Sequence, residues 1–143
     1  MANSRFVSAE YCDDVRQEVG NKISLIGCYG SDMIVSGQLP AILPKLCVVA
    51  KSWIPAGQPL AVGIVRLRRD GQVLTEVPID ATATDVSSWP ADVRWFVLQT
   101  VITMAPFPVE AACVLQVEYE ADGEVTVGPR LRVKVAESLT STH

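Results

Sequence analysis

Cys113-Val-Leu-Gln-Val-Glu-Tyr-Glu-Ala-Asp-Gly-Glu-Val-Thr-Val-Gly-Pro-Arg-Leu-Arg-Val-Lys-Val135 is the stretch that decides the fold. Apolar side chains recur at every second position: Cys113, Leu115, Val117 and Tyr119 point one way, and Gln116, Glu118 and Glu120 the other. A period of two is the signature of a strand with one buried face. Asp122-Gly123 marks a turn, and Gly128-Pro129 interrupts the return path before Leu131, Val133 and Val135 resume the inward face. Arg130, Arg132 and Lys134 face outward and are expected to lie across from Glu118 and Glu120.

The same grammar extends upstream. Residues 60–69 and 72–79 flank Asp70-Gly71, a type I′ hairpin signal. Val65 and Leu67 face in, Arg66 and Arg68 face out, and Val73, Val77 and Ile79 face in on the return. Residues 46–54 are apolar on both faces at first, as suits a central strand, and 94–103 are strongly strand-like. Residues 5–12 open as a strand, 33–35 form a strand stub, 36–44 a loop, and 106–108 a proline-rich bend. No segment of useful length carries a helical period. The expected fold is all-β, a two-sheet antiparallel β-sandwich, immunoglobulin-like or related, spanning 1–143 as one domain with a frayed polar tail at 137–143.

Residues 11–33 concentrate acidic residues, two cysteines and two tyrosines. Residues 22–29 read as a strand, and Gly20-Asn21 suits a two-residue hairpin turn pairing Val19 with Lys22 and Val15 with Ile26. That register sets Arg16 and Glu18 on the face of Ile23 and Leu25, a mismatch of polarity. A bulge or loose loop over 14–18 is therefore expected, with a capped helical turn as the alternative. Asp13, Asp14, Glu18 and Asp32 have the oxygen chemistry of a hard-cation site, but their spacing matches no calcium loop. The reading adopted is that Asp13 and Asp14 are structural caps accepting from backbone N–H groups, with no metal and no cofactor.

The run Cys-Asp-Asp-Val-Arg-x-Glu-Val-Gly-x-Lys-Ile-Ser-Leu-Ile-Gly-x-Tyr at 12–29, with Leu-Pro-Lys-Leu at 43–46, resembles a family of uncharacterised bacterial and phage proteins. The resemblance implies a small β-sandwich-like protein with no assigned activity. It supplies no catalytic residues.

Composition narrows the function classes. The chain has 143 residues, 49% hydrophobic and 20% charged, with a net charge of −4. The pI is near 4.9 and the mean hydropathy +0.27. This is a globular composition without the basic footprint that nucleic acid or an anionic membrane requires. No apolar run reaches transmembrane length and the N-terminus lacks a signal-like apolar region, so a cytoplasmic protein is expected, in the host cytoplasm if phage-encoded. The cysteines at 12, 28, 47 and 113 lack Cys-x-x-Cys spacing and read as thiols, with Cys12 and Cys28 able to face each other across the first hairpin.

The sole histidine is residue 143, which leaves a Ser-His or Cys-His relay without a held imidazole. Phosphate-cradling, dinucleotide and zinc motifs are missing. The expectation is a non-enzymatic protein-binding or structural sandwich, with a protein partner of unknown identity and a homodimer through an edge strand as one mode of association. The alternatives are an acidic phage inhibitor of a host protein that mimics nucleic acid, and a carboxylate- or metal-dependent hydrolase. Trp53 and Trp95 are expected in the core. The irregular segment 80–92 supplies the candidate partner contacts Asp85, Trp89 and Asp92, with Trp89 either an anchor for a partner or a plug for one end of the sandwich.

Overall fold

A computed structural model describes residues 4–58, 62–82, 87 and 89–136. It is all-β. The strands are β1 (Phe6–Glu18), β2 (Lys22–Cys28), β3 (Asp32–Val35), β4 (Ala41–Leu43), β5 (Leu46–Pro55), β6 (Val62–Arg69), β7 (Gln72–Asp80), β8 (Trp95–Met104), β9 (Phe107–Val109), β10 (Cys113–Ala121) and β11 (Glu124–Val135). They form a four-stranded sheet in the order β2-β1-β5-β8 and a five-stranded sheet in the order β3-β11-β10-β6-β7, with β4 and β9 as a small third pair. All pairings are antiparallel except β3 with β11. The expected sandwich is the observed architecture.

The core lies between the two large sheets. Val7, Tyr11, Leu46, Val48, Ala50, Ile54, Phe96 and Ile102 come from one; Met33, Val65, Leu67, Leu115, Val117, Tyr119, Leu131 and Val133 from the other. The alternation read in β10 and β11 places Leu115, Val117, Tyr119, Leu131 and Val133 in this core as expected. Asp70-Gly71 and Asp122-Gly123 both turn with positive φ at the two central residues, closing Arg69 on Gln72 and Ala121 on Glu124.

Several local expectations are corrected. The first strand does not stop at residue 12 and has no loop at 14–18: β1 runs unbroken to Glu18. Its hairpin turn holds three residues, Val19-Gly20-Asn21, so Glu18 pairs with Lys22, Arg16 with Ser24 and Val15 with Leu25. The one-residue shift removes the polarity conflict, because Arg16 and Glu18 now share a face with Ser24 and Lys22.

A bulge between Leu67 and Arg68 shifts β7, leaving Leu74 against the core and Val73 exposed. A second register shift, at Gly128-Pro129, sets Glu118 opposite Val127 rather than a basic residue of β11. Glu118 and Glu120 instead meet Arg66 and Arg68 of β6: Arg68 Nε lies 2.7 Å from Glu118 and Arg66 Nη1 3.2 Å from Glu120. The expected loop at 36–44 contains β4, which pairs with β9, a strand that begins within the expected bend at 106–108 and ends one residue beyond it.

Candidate functional site

Trp53 and Trp95 are not in the core. Along β5 the even residues Leu46, Val48, Ala50 and Ile54 face the other sheet, so alternation throws Cys47, Val49, Lys51 and Trp53 to the outer face. The core preference of Trp is overruled by strand parity. On that outer face Phe6 stacks on Trp53, with centroids 5.3 Å apart and planes at 9°, and meets Trp95 edge-on at 5.2 Å. Trp53 Nε1 donates to Ser8 Oγ at 3.1 Å. Phe6 stays 44% exposed, so the aromatic cluster is open to solvent.

The β1–β2 hairpin faces the same surface. Ile23 and Leu25 line a groove of about 300 Å³ with Ser8, Glu10, Val49, Lys51, Trp53 and Gln99. Ile23 pairs with Gln17, nine residues beyond Ser8 on β1. A straight strand would separate Ser8 from Gln17 by about 30 Å. The hairpin therefore turns back towards the sheet. Its hinge is at Asp13 and Gly27: Gly27 has φ +67° and the Asp13 carboxylate occupies the space a Cβ would need.

The third component is β8, an edge strand. Its sequence Trp-Phe-Val-Leu-Gln-Thr-Val-Ile-Thr-Met has no charge, glycine or proline. Ala56 N–H donates to Arg94 C=O, and the β5–β8 register continues from there without a shift. Hydrogen-bonded pairs alternate along an antiparallel ladder, so Phe96, Leu98, Thr100 and Ile102 bond to β5. Trp95, Val97, Gln99, Val101 and Thr103 turn their N–H and C=O groups to the free edge, where no described strand pairs with them. Val97 and Val101 are 41% and 37% exposed.

The other sheet edges are blunted, as soluble sheets require. β7 carries Glu76, Pro78 and Asp80 and a bulge at Leu74, β3 has only four residues and begins at Asp32, and β2 carries Lys22 and the bend at Gly27. In the part of β1 that β2 does not reach, Val7 approaches Gly128 and the Tyr11 hydroxyl donates to Pro129 C=O of β11.

The candidate residues read from sequence are scattered. Asp13 Oδ1 accepts from the Tyr29 hydroxyl, while Asp14 Oδ1 accepts from Val15 N–H at 2.8 Å and from Lys45 Nζ at 3.0 Å. The Lys45 hydrogen bond holds the Asp14 carboxyl below its ordinary pKa. Asp32 pairs with Lys134 and Glu18 with Arg16, so the four carboxylates have separate partners. Among the described residues no group of three His, Cys, Asp or Glu is placed to hold a metal ion. Trp89 is 39% exposed and packs edge-on to buried Phe96 at 4.7 Å. Asp92 is exposed on the same connection, and Asp85 lies outside the described residues, as do the tail at 137–143 and its histidine.

All four cysteines are free. Cys28, Cys12 and Cys47 stand in one row across β2, β1 and β5. Burial, with the neighbouring Cys47 and Cys28, pushes the Cys12 thiol up to about 11.

A family model described as a family of unknown function, DUF6941, matches residues 8–134. The chain belongs to this family. The match runs from β1 to β11 and so spans both sheets, the hairpin and β8. No match was found among curated proteins. Within this DUF6941 chain the outer face of the four-stranded sheet was missed in the sequence reading. Its signal was there: ten uncharged residues in one strand, bounded by Arg94 and Pro106. Among the described residues no helix is long and apolar enough to cross a membrane.

Proposed function

We propose that this DUF6941 chain is a non-enzymatic protein-binding or structural β-sandwich of bacterial or phage origin, working in the cytoplasm. It meets its protein partner with the outer face and open edge of the four-stranded sheet. The observation that carries this reading is the contrast between edges: among the described edge strands β8 is the long, uncharged one, with no described strand on its outer side, while β2, β3 and β7 carry charges, proline, bulges or short length. With Trp95 at its start cluster Phe6 and Trp53, aromatic residue types enriched in protein interfaces.

Two other functions receive less support. A nucleic-acid mimic needs unopposed carboxylates, whereas Glu76, Glu118, Glu120, Asp122, Asp32 and Asp14 each lie against an arginine or lysine. A hydrolase needs converging carboxylates, and those at 13, 14, 18 and 32 point to separate partners.

The test is photo-crosslinking in the source cell, with benzoylphenylalanine placed at Val97 in one form and at Val127 in another. Val127 is exposed on β11 of the opposite sheet. Adducts with protein from position 97 and none from 127 are expected. Equal yields, or adducts from 127 alone, would contradict the proposed face.

A further inference from the structure

We infer that the occupant of the β8 edge is the β8 edge of a second copy of this chain, paired antiparallel about a two-fold axis at Gln99. The inference takes its location from the function proposed above and adds the partner. The free-edge groups belong to Trp95, Val97, Gln99, Val101 and Thr103, five alternate residues centred on Gln99. Reversing the strand about that centre sets Gln99 against Gln99 of the copy, Val97 against Val101, and Trp95 against Thr103. Each facing pair then exchanges both N–H···O=C bonds, because every residue in the set already points its backbone outward.

The side chains agree with this register. Val97 and Val101 are exposed to nearly the same extent, 41% and 37%, and come together as apolar cross-strand pairs on both sides of the axis. The facing Gln99 side chains can exchange amide hydrogen bonds. The chain's charge of −4 does not oppose the contact locally, since β8 itself has no ionisable group. A two-fold interface uses the same surface patch on both subunits, and an edge strand that complements itself meets that requirement. The two four-stranded sheets become one continuous sheet, and neither copy keeps a long unprotected edge.

The experiment is sedimentation equilibrium on the full chain over a micromolar concentration series, beside the variants Gln99→Pro and Val101→Lys. Gln99 turns its N–H to the free edge, so proline there removes an intermolecular donor and no bond to β5; edge strands tolerate it. Val101→Lys sets an ammonium against the apolar Val97 of the copy on both sides of the axis without altering the backbone, and covers the case in which the proline variant fails to fold. The wild type is expected at twice the chain mass of 15.5 kDa, with both folded variants shifted to monomer by at least tenfold in dissociation constant.

A wild type that stays monomeric overturns the inference, as does a dimer untouched by Val101→Lys. If the chain is monomeric while position 97 still crosslinks to a different protein, the pairing fails and the protein-binding function stands. If it is monomeric and position 97 captures nothing, both fail.

Discussion

The Tyr29 hydroxyl donates to Asp13 Oδ1 across the base of the β1–β2 hairpin, beside Gly27 and its positive φ. This contact and that backbone geometry aim Ile23 and Leu25 at the outer face of the sheet. Gly27→Ala has to adopt a left-handed conformation and displace the Asp13 carboxylate. It is expected to cost about 1–2 kcal/mol from the conformation alone. A denaturation midpoint equal to wild type would show that the hinge is not at Gly27.

Gly128 gives a second backbone test. A Cβ there would stand 2.7 Å from Val117 Cγ1 and 3.0 Å from Val7 Cγ1, whereas one on Gly57 would meet nothing within 4 Å. Gly128→Ala is expected to destabilise by about 1–3 kcal/mol, the usual cost of overpacking, and Gly57→Ala to leave stability near wild type. Equal melting temperatures for the two variants would refute the close approach of β11 to Val7 and Val117.

The three tyrosines define the alkaline limit. Burial pushes Tyr11 and Tyr29 from 10.0 up to about 12, with the Asp13 contact adding to Tyr29, and burial also raises Tyr119. A raised pKa means the folded state holds the phenolic proton more tightly than the unfolded chain. The resulting stability is fully present below pH 10, and is lost as pH climbs towards 12 and the unfolded state ionises first. Tyrosinate absorbance is therefore expected to stay low at pH 10 in the folded protein and to rise together with unfolding. Titration of two tyrosines near pH 10 with the fold intact would contradict their placement.

Trp89 divides its surface between solvent and Phe96. Trp89→Ala loses an edge-on aromatic contact and part of the buried area, for an expected loss of about 1–3 kcal/mol in thermal or denaturant unfolding. An unchanged melt would leave Trp89 with no part in closing that end of the sandwich.

Where a signal is local, the sequence carries it. The Asp-Gly turns at 70–71 and 122–123 need positive φ at adjacent positions, and the alternation of β10 depends only on which side of one strand is buried. What the sequence conceals is set by partners far along the chain. The hairpin register depends on whether Val19, 93% exposed, belongs to the strand or the turn. Glu118 is matched to Arg68 because β6 lies beside β10, and the shift at Gly128-Pro129 carries the basic residues of β11 away from it. Trp53 was misplaced by a residue preference that parity with Val48, Ala50 and Ile54 overrules. β8 became a candidate only once β5 was known to cover one of its sides and nothing described the other.

Residue-resolved amide hydrogen exchange along β8, at high and low protein concentration, tests the central claim most directly. Phe96, Leu98 and Thr100 bond to β5 and are expected to be protected at both concentrations. Val97, Gln99 and Val101 are expected to be protected at high concentration and to exchange rapidly on dilution. Rapid exchange at these three at every concentration, or protection that dilution does not change, would contradict an edge that pairs with a second copy.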